Sequence, residues 1–420
     1  MNIFGKIFGF GASASSPAPA AKASSFSGPA VKGGNWFNGT GKAAAAEPEQ
    51  RIVYSKKGTP RHLSAEYELT NGGEGVIYRL PDSDRILIKI YKKNILGDPK
   101  KRLRLRERLN DMLRVKLDGN TCLAWPRAAV FDDRGEVIGF AMNKCTGKSF
   151  LALGGGVESV RRAFPKWDRS HLALAALDFV RKVRFLAMHG VIVNDFNPAN
   201  FLVNENCEVS FIDCDSFQIP KRGGGAHITK TFFASYVAPE LLRNPSLLAQ
   251  PRNIHHVEFG TAMIVFYLLM YGLHPYAYYD PFRKSSCGTP DENLRNGRCP
   301  LGKGSDCRFP QGNWYNLWSW LTGALKGCLI RTFKDGHSDP LQRTPLEELE
   351  KALQQLIYEM NRPATIDAAG YSANRRSLSP DLAKPRGDRQ ADGESGGAPP
   401  QSALRIHRGL CGTAARRTFA

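Results

Sequence analysis

The sequence predicts an α+β domain built as two lobes, a small β-rich lobe followed by a larger helical one. Three observations lead there. Between residues 69 and 144, short apolar runs alternate with glycine-containing turns, which is strand patterning. Residues 259–273 form the most apolar stretch of the chain. That stretch is shorter than the roughly 20 residues a bilayer core requires, so it reads as a buried helix of the larger lobe. The two ends differ from everything between them: residues 11–50 are rich in Ala, Ser, Gly and Pro, and the part after residue 361 mixes Ser, Gly, Pro, Arg and Asp without apolar periodicity.

The folded unit accordingly spans 52–360, with a small lobe at 52–144 and a large lobe at 145–360. Residues 1–51 and 361–420 are expected to be disordered. A chain of 420 residues with 42% hydrophobic content can bury a sizeable core, and no internal repeat is visible. Nine cysteines, an odd number without paired spacing, argue for a reducing, cytoplasmic setting rather than a disulfide framework. Cys287, Cys299 and Cys307 share a loop-rich stretch but lack a CxxC unit and a fourth ligand, which argues against zinc. The first ten residues are too short and too glycine-broken for a secretory signal.

A net charge of +19 favours acidic partners in general. The densest basic run, residues 100–108, has no interleaved aromatics and reads as a solvated helix face rather than a nucleic-acid footprint. Arg375, Arg376, Arg416 and Arg417 in the tail read as a solvated end, with a docking arm as the other reading.

The elements follow in order. Residues 69–78 read as strand, turn, strand, in which Gly72, Gly73 and Gly75 let backbone N–H groups approach phosphates without a Cβ in the way. Such clusters also mark ordinary hairpins. In 85–91 a single lysine, Lys89, interrupts an apolar strand, and burying it is costly unless it meets anions. An exposed edge strand is the other reading. Residues 99–115 place Leu105, Leu109, Met112 and Leu113 at helical spacing, with Glu107 as the only glutamate. Residues 130–144 form a hairpin whose second strand leads into an extended segment.

Asp195, Asn200 and Asp213 then lie in two apolar strand-like runs joined by a short turn, which folds Asp213 back beside Asn200. In-line phosphoryl transfer needs this separation of tasks, one carboxylate to orient the acceptor hydroxyl and other oxygens to hold magnesium.

The text His189-Gly190-Val191-Ile192-Val193-Asn194-Asp195, continuing through Asn200, followed by Ile212-Asp213-Cys214-Asp215, resembles the catalytic loop and metal motif of protein kinases. Tyr236-Val237-Ala238-Pro239-Glu240 is similar to the segment that closes their activation region, and the resemblance extends over residues 64–360. It implies a protein kinase-like fold that uses ATP with Mg²⁺ or Mn²⁺. On this resemblance Asp195 is the catalytic base, and Asn200 and Asp213 are metal ligands. Asp215, where the family has glycine, is a further carboxylate near the metals. Lys89 holds phosphates and pairs with Glu107, beneath the loop of Gly72, Gly73 and Gly75. Met142, Asn143 and Lys144 form the hinge to adenine, with Ile77, Leu87 and Met142 around the ring, and Glu240 pairs with Arg343.

Asn197-Pro198-Ala199-Asn200, residues 212–218 and residues 333–340 resemble more narrowly a bacterial branch associated with von Willebrand A-type and PP2C-type phosphatase proteins in stress or tellurite-resistance systems. The implied function is serine/threonine protein phosphorylation in bacterial signalling. Departures matter. Asn194 replaces the arginine that reads a phosphorylated activation segment, so activity is expected not to need that modification. Asn197 stands for a lysine near the γ-phosphate, and Val257 for an aspartate that braces the catalytic loop. A pseudokinase scaffold binding nucleotide and partner proteins, and a small-molecule phosphotransferase, are the alternatives; the latter class lacks the Glu240 and Arg343 features.

Overall fold

The computed structural model describes residues 51–362, except 81, 118–121, 230, 281–284, 287, 303–307 and 311. The terminal segments 1–50 and 363–420, with Cys287 and Cys307, lie outside the described residues.

Seven strands form the small lobe's antiparallel sheet: β1 (Arg51–Tyr54), β2 (Pro60–Leu63), β3 (Glu68–Asn71), β4 (Gly75–Leu80), β5 (Ser83–Tyr91), β6 (Pro126–Phe131) and β7 (Val137–Asn143), in the order β2-β1-β6-β7-β5-β4-β3. Register sorts their side chains. Ile77 lies opposite Lys89, Leu87 opposite Met142, and Lys89 opposite Phe140, and residues directly opposite share a face. Ile77, Leu87, Lys89, Tyr91 and Met142 therefore point one way, toward the large lobe. The alternate residues Ile88 and Ile90 join Val53, Leu63, Val130 and Ile138 in a separate apolar cluster on the other face.

Two helices follow β5, α1 (Lys93–Leu96) and α2 (Pro99–Met112). The second starts where Asp98 caps the backbone N–H groups of Lys100 and Lys101 and Pro99 takes the first turn, a strong start signal. Leu105, Leu109 and Met112 are its buried stripe.

The chain crosses to the large lobe after β7 and enters strand β8 (Lys148–Ser149), which pairs with β9 (Phe201–Val203) beside β10 (Val209–Phe211). Behind these lie α3 (Val157–Ala163) and α4 (Arg169–Met188), the latter opened by a capping box between Asp168 and His171. After α5 (Pro239–Arg243) comes α6 (Ile254–Leu269), in which every residue from Val257 to Leu269 is buried. The helix is buried all round as expected, but it starts earlier and ends at Leu269, so residues 270–273 of the expected stretch lie beyond it. No helix among the described residues is long and apolar enough to cross a membrane. The last helix, Leu346–Asn361, packs on α4.

The expected pair of Glu240 and Arg343 forms. Arg343 Nη1 and Nη2 donate to the two carboxylate oxygens at 2.8 and 2.7 Å, and its Nε donates to the Gly336 carbonyl. With Nη1 also reaching the His255 carbonyl, one buried guanidinium fastens α5 to the start of α6.

Candidate active site

Four apolar rings build the floor. Phe179 of α4 lies 4.8 Å from Phe201 between ring centroids, Phe201 lies 5.0 Å from Phe211, and Phe150 covers them. This cluster fixes the β9–β10 hairpin, whose register pairs Phe201 with Phe211. The next residues are then brought together: Ile212 N donates to the Asn200 carbonyl at 2.9 Å, so Asp213 emerges beside Asn200. Asp213 itself takes a left-handed backbone conformation, φ 56°, a strained choice for a residue with a side chain and one that turns the chain sharply at the site.

Asp195 is buried above the hairpin. Its Oδ2 accepts a 3.1 Å bond from Asn200 Nδ2, while its Oδ1 is buried without a hydrogen-bond partner among the described residues. Burial pushes its carboxyl up to about 6, against the hydrogen bond from Asn200 and with some help from the negative charge of Asp213. An orphaned, part-titrated carboxylate oxygen suits the acceptance of a proton from an incoming hydroxyl.

With Val257 buried where the resembled family has an aspartate, the Asp195 loop is braced by shape and by backbone pairing. The Phe196 ring lies against Gly260 of α6, where a Cβ would come within 2.2 Å of it. Ile192 bridges to Gln218, whose side chain exchanges two hydrogen bonds with the Arg252 backbone. Ser149 Oγ donates to the Pro198 carbonyl at 3.1 Å. Asn197 turns inward to cap Ala199 N, so it does not replace the lysine it stands for.

Lys89 is 7% exposed and reaches across from the small lobe. Its Nζ donates to Asp213 Oδ1 at 2.8 Å and to Asp215 Oδ1 and Oδ2 at 2.8 and 2.9 Å. Burial alone would lower its pKa; the two carboxylates outweigh that and raise it, keeping the amine charged. Tyr91 Oη donates to Asp215 Oδ2 at 2.6 Å.

Two expectations need correction here. Glu107 does not pair with Lys89: it lies exposed on the outer face of α2. The inward residue is its neighbour Arg108, whose Nε donates to the Asp215 carbonyl at 3.0 Å, and whose Nη1 and Nη2 reach the His227 and Phe217 carbonyls. The apolar stripe carried this signal, since Arg108 is three residues past Leu105 and four before Met112, whereas Glu107 sits about 200° around the helix from Leu105. Asp215 is likewise placed differently from a metal ligand. Its side chain is 5% exposed with both oxygens engaged, whereas that of Asp213 is 41% exposed. Burial would raise the Asp215 carboxyl, but Lys89 first, then the Tyr91 hydroxyl and Arg108, hold it below the usual range.

Among the described residues no three His, Cys, Asp or Glu side chains converge as a metal cage. The donors present suit magnesium instead, which is commonly held by one or two protein oxygens together with substrate phosphates. Asn200 uses its amide N–H on Asp195, leaving its carbonyl oxygen, and Asp213 offers an accessible carboxylate.

The remaining expected residues lie in the turn between β3 and β4 and at the end of β7. Gly75 packs so tightly that a Cβ would meet the Ile90 carbonyl at 2.8 Å, whereas nothing lies within 4 Å of a Cβ at Gly73. The backbone thus turns close to the sheet while its tip stays open. Asn143 accepts from Arg127 Nη1 at 2.8 Å, and Lys144 N donates to the Arg85 carbonyl, which holds the segment between the lobes extended. Sequence reasoning passed over Glu74, a solvent-accessible carboxyl at the turn. Partial desolvation, and the nearby Asp215 and Asp213, raise its pKa against the pull of Lys89 and Arg108.

No family model matches the chain. Over 211 residues it is 30% identical to Protein kinase YegI of Escherichia coli O157:H7, and to the same extent to Protein kinase YegI of strain K12; the match covers 50% of this chain. It spans 32%, about a third, of the length of each of these curated relatives. The likeness accords with the two-lobed, protein kinase-like α+β fold described above.

Proposed function

We propose that this chain is an ATP-dependent serine/threonine protein kinase working in a bacterial signalling or stress system. One observation carries the reading: Lys89, Asp195, Asn200 and Asp213, from one strand of the small lobe and two segments of the large lobe, are brought together, with Lys89 Nζ 2.8 Å from Asp213 and Asn200 3.1 Å from Asp195. The likeness to two proteins named as protein kinases supports it.

In this reading Asn200 and Asp213 hold the metal, and Lys89 with the turn of Gly72, Gly73 and Gly75 holds the phosphates. Ile77, Leu87 and Met142 line the base, with backbone groups of Asn143 and Lys144 at its edge. Bound Mg²⁺ and ATP would supply the γ-phosphoryl group and neutralise charge on the leaving oxygens. Asp195 orients the acceptor hydroxyl through its unpartnered Oδ1 and takes its proton. The partners implied by the bacterial branch, von Willebrand A-type and PP2C-type phosphatase proteins, belong to the same proposal.

A scaffold that binds nucleotide without transferring phosphate is the second reading, favoured by the hold of Lys89 on an oxygen of Asp213. Incubation with labelled ATP and Mg²⁺ or Mn²⁺ separates the two. Label on protein hydroxyls that disappears in both Asp195→Ala and Asp213→Ala supports the kinase. Stabilisation by nucleotide with no transfer in wild type supports the scaffold; a saturating ligand at 100 times its Kd adds about 2.7 kcal/mol.

A further inference from the structure

We propose that Asp215 is a positioning residue that holds Lys89 in place of a helix glutamate, and that it links Lys89 to helix α2 through Arg108. The proposal rests on the nucleotide-binding reading of the same site, but its geometry stands apart from any bound group. Both oxygens of Asp215 face Lys89 Nζ, at 2.8 and 2.9 Å, and Oδ2 also accepts from Tyr91 at 2.6 Å. With a side chain 5% exposed, it is far more enclosed than Asp213 at 41%.

Its backbone faces the other way. The Asp215 carbonyl accepts from Arg108 Nε at 3.0 Å, and Arg108 also bonds the Phe217 and His227 carbonyls. A second tie runs parallel, with Asp111 Oδ2 lying 2.8 Å from His227 Nε2 and accepting from Arg222 N at 3.2 Å. Strands β11 (Ile219–Pro220) and β12 (Ala226–His227) are thereby fastened to the inner face of α2. Any rotation of the helix pulls on the residue that orients the lysine. Helix position is thus passed to Lys89 through a loop carboxylate, with a cation rather than an anion on the helix.

The placement also explains the exposed Glu107. Lys89 already meets two carboxylates, so a third would have to be desolvated with no additional positive charge to offset it.

Acylation of Lys89 by a soluble amine-reactive ester, followed by peptide mass spectrometry on the nucleotide-free full chain, tests the shelter directly. Asp215→Asn is expected to raise the labelling rate of Lys89 at least about tenfold, because truncating one partner of a buried pair frees the other. Tyr91→Phe, a milder change that keeps the core volume, is expected to raise it severalfold, and so is Arg108→Gln, which does not touch Lys89. Unchanged labelling in Asp215→Asn overturns the proposal, and so does a rise in Glu107→Gln equal to that of Asp215→Asn.

Calorimetric binding of ADP supplies the second readout. Positioning predicts weaker ADP binding at saturating Mg²⁺ in Asp215→Asn, with the Mg²⁺ concentration for half-maximal binding unchanged. A shift confined to the Mg²⁺ requirement would make Asp215 a metal ligand and overturn the proposal. Failure of wild type to bind ADP would refute the functional reading while leaving the labelling result to stand or fall alone.

Discussion

Asp195→Asn is expected to make the protein inactive and to gain stability on the wild type as pH rises from about 4 toward 7. The Asp195 carboxyl titrates near 6 in the fold and near 3.8 when unperturbed, because burial disfavours its charge. A group whose folded value is raised binds its proton more tightly in the native state. Its penalty is therefore absent below about pH 3.8, grows through the window between the two values, and is complete above about 6. The gap of about two units corresponds to about 3 kcal/mol of destabilisation at neutral pH.

Asparagine cannot ionise and removes that term. It introduces an N–H₂ group where Oδ1 has no partner, a cost of about 1 to 3 kcal/mol that does not depend on pH. The pH dependence therefore isolates the electrostatic part. Urea unfolding of both proteins should show the variant gaining about 2 kcal/mol on wild type between pH 4.5 and 7.5. On the proposed kinase reading the same carboxyl would set the acid limb of phosphoryl transfer, which should fall as pH drops below about 6. A stability difference that stays flat across this range refutes a buried, raised carboxyl at position 195, and with it the argument for its role as base.

Gly260→Ala gains about 1 kcal/mol of helix propensity, yet its Cβ would stand 2.2 Å from the Phe196 ring, so a net loss of about 1 to 2 kcal/mol and a displaced catalytic loop are expected from thermal melts and transfer assays. Arg343→Ala strips the partly buried Glu240 of its guanidinium partner, leaving His256 Nε2 at 3.3 Å, and should cost about 3 kcal/mol in chemical denaturation. Full stability in that variant would show the bidentate pair to be dispensable. At Thr229, whose hydroxyl accepts from Asn194 Nδ2 at 2.7 Å and donates to the Ser216 carbonyl, both Thr229→Val and Thr229→Asp are expected to lower activity. Activation by the aspartate variant would refute an activation segment ordered without phosphate.

Much of the fold was legible because its patterns are local. The strand of Lys89 is a continuous apolar run broken by one lysine, the central helix is buried on every side, and the turn between Phe201 and Phe211 is short enough to fix its own register. The hairpin of β1 and β2 was not legible. Its second strand, Pro60–Leu63, opens on proline and buries only Leu63, so nothing in its composition distinguishes it from a loop. At the site, the residues whose spacing suits one chemical task were legible, while partners chosen by geometry were not. Asp195, Asn200 and Asp213 follow from spacing along a short path. The partner of Lys89 depended on which of two adjacent helix residues faced inward, and on a loop carboxylate at a position where the resembled family carries glycine.

The exchange has an electrostatic logic. Within the buried cluster Lys89 and Arg108 are cationic and Asp213 and Asp215 anionic, so the enclosed charges balance without any helix glutamate. Adding Glu107 would leave a net negative charge in a desolvated space, which is costly. Glu74 shows the strain of going further: even in contact with solvent, its carboxyl is driven upward by crowding and by the two aspartates. A balanced cluster has no surplus positive charge to offer a polyphosphate, so on the proposed reading a nucleotide bound there would depend on a divalent cation held by the accessible Asp213. The loss of the lysine at Asn197 adds to that dependence, since its amide is committed to the Ala199 backbone. On the proposed kinase reading, chemistry at this site would rely on a metal for charge and on the protein for position.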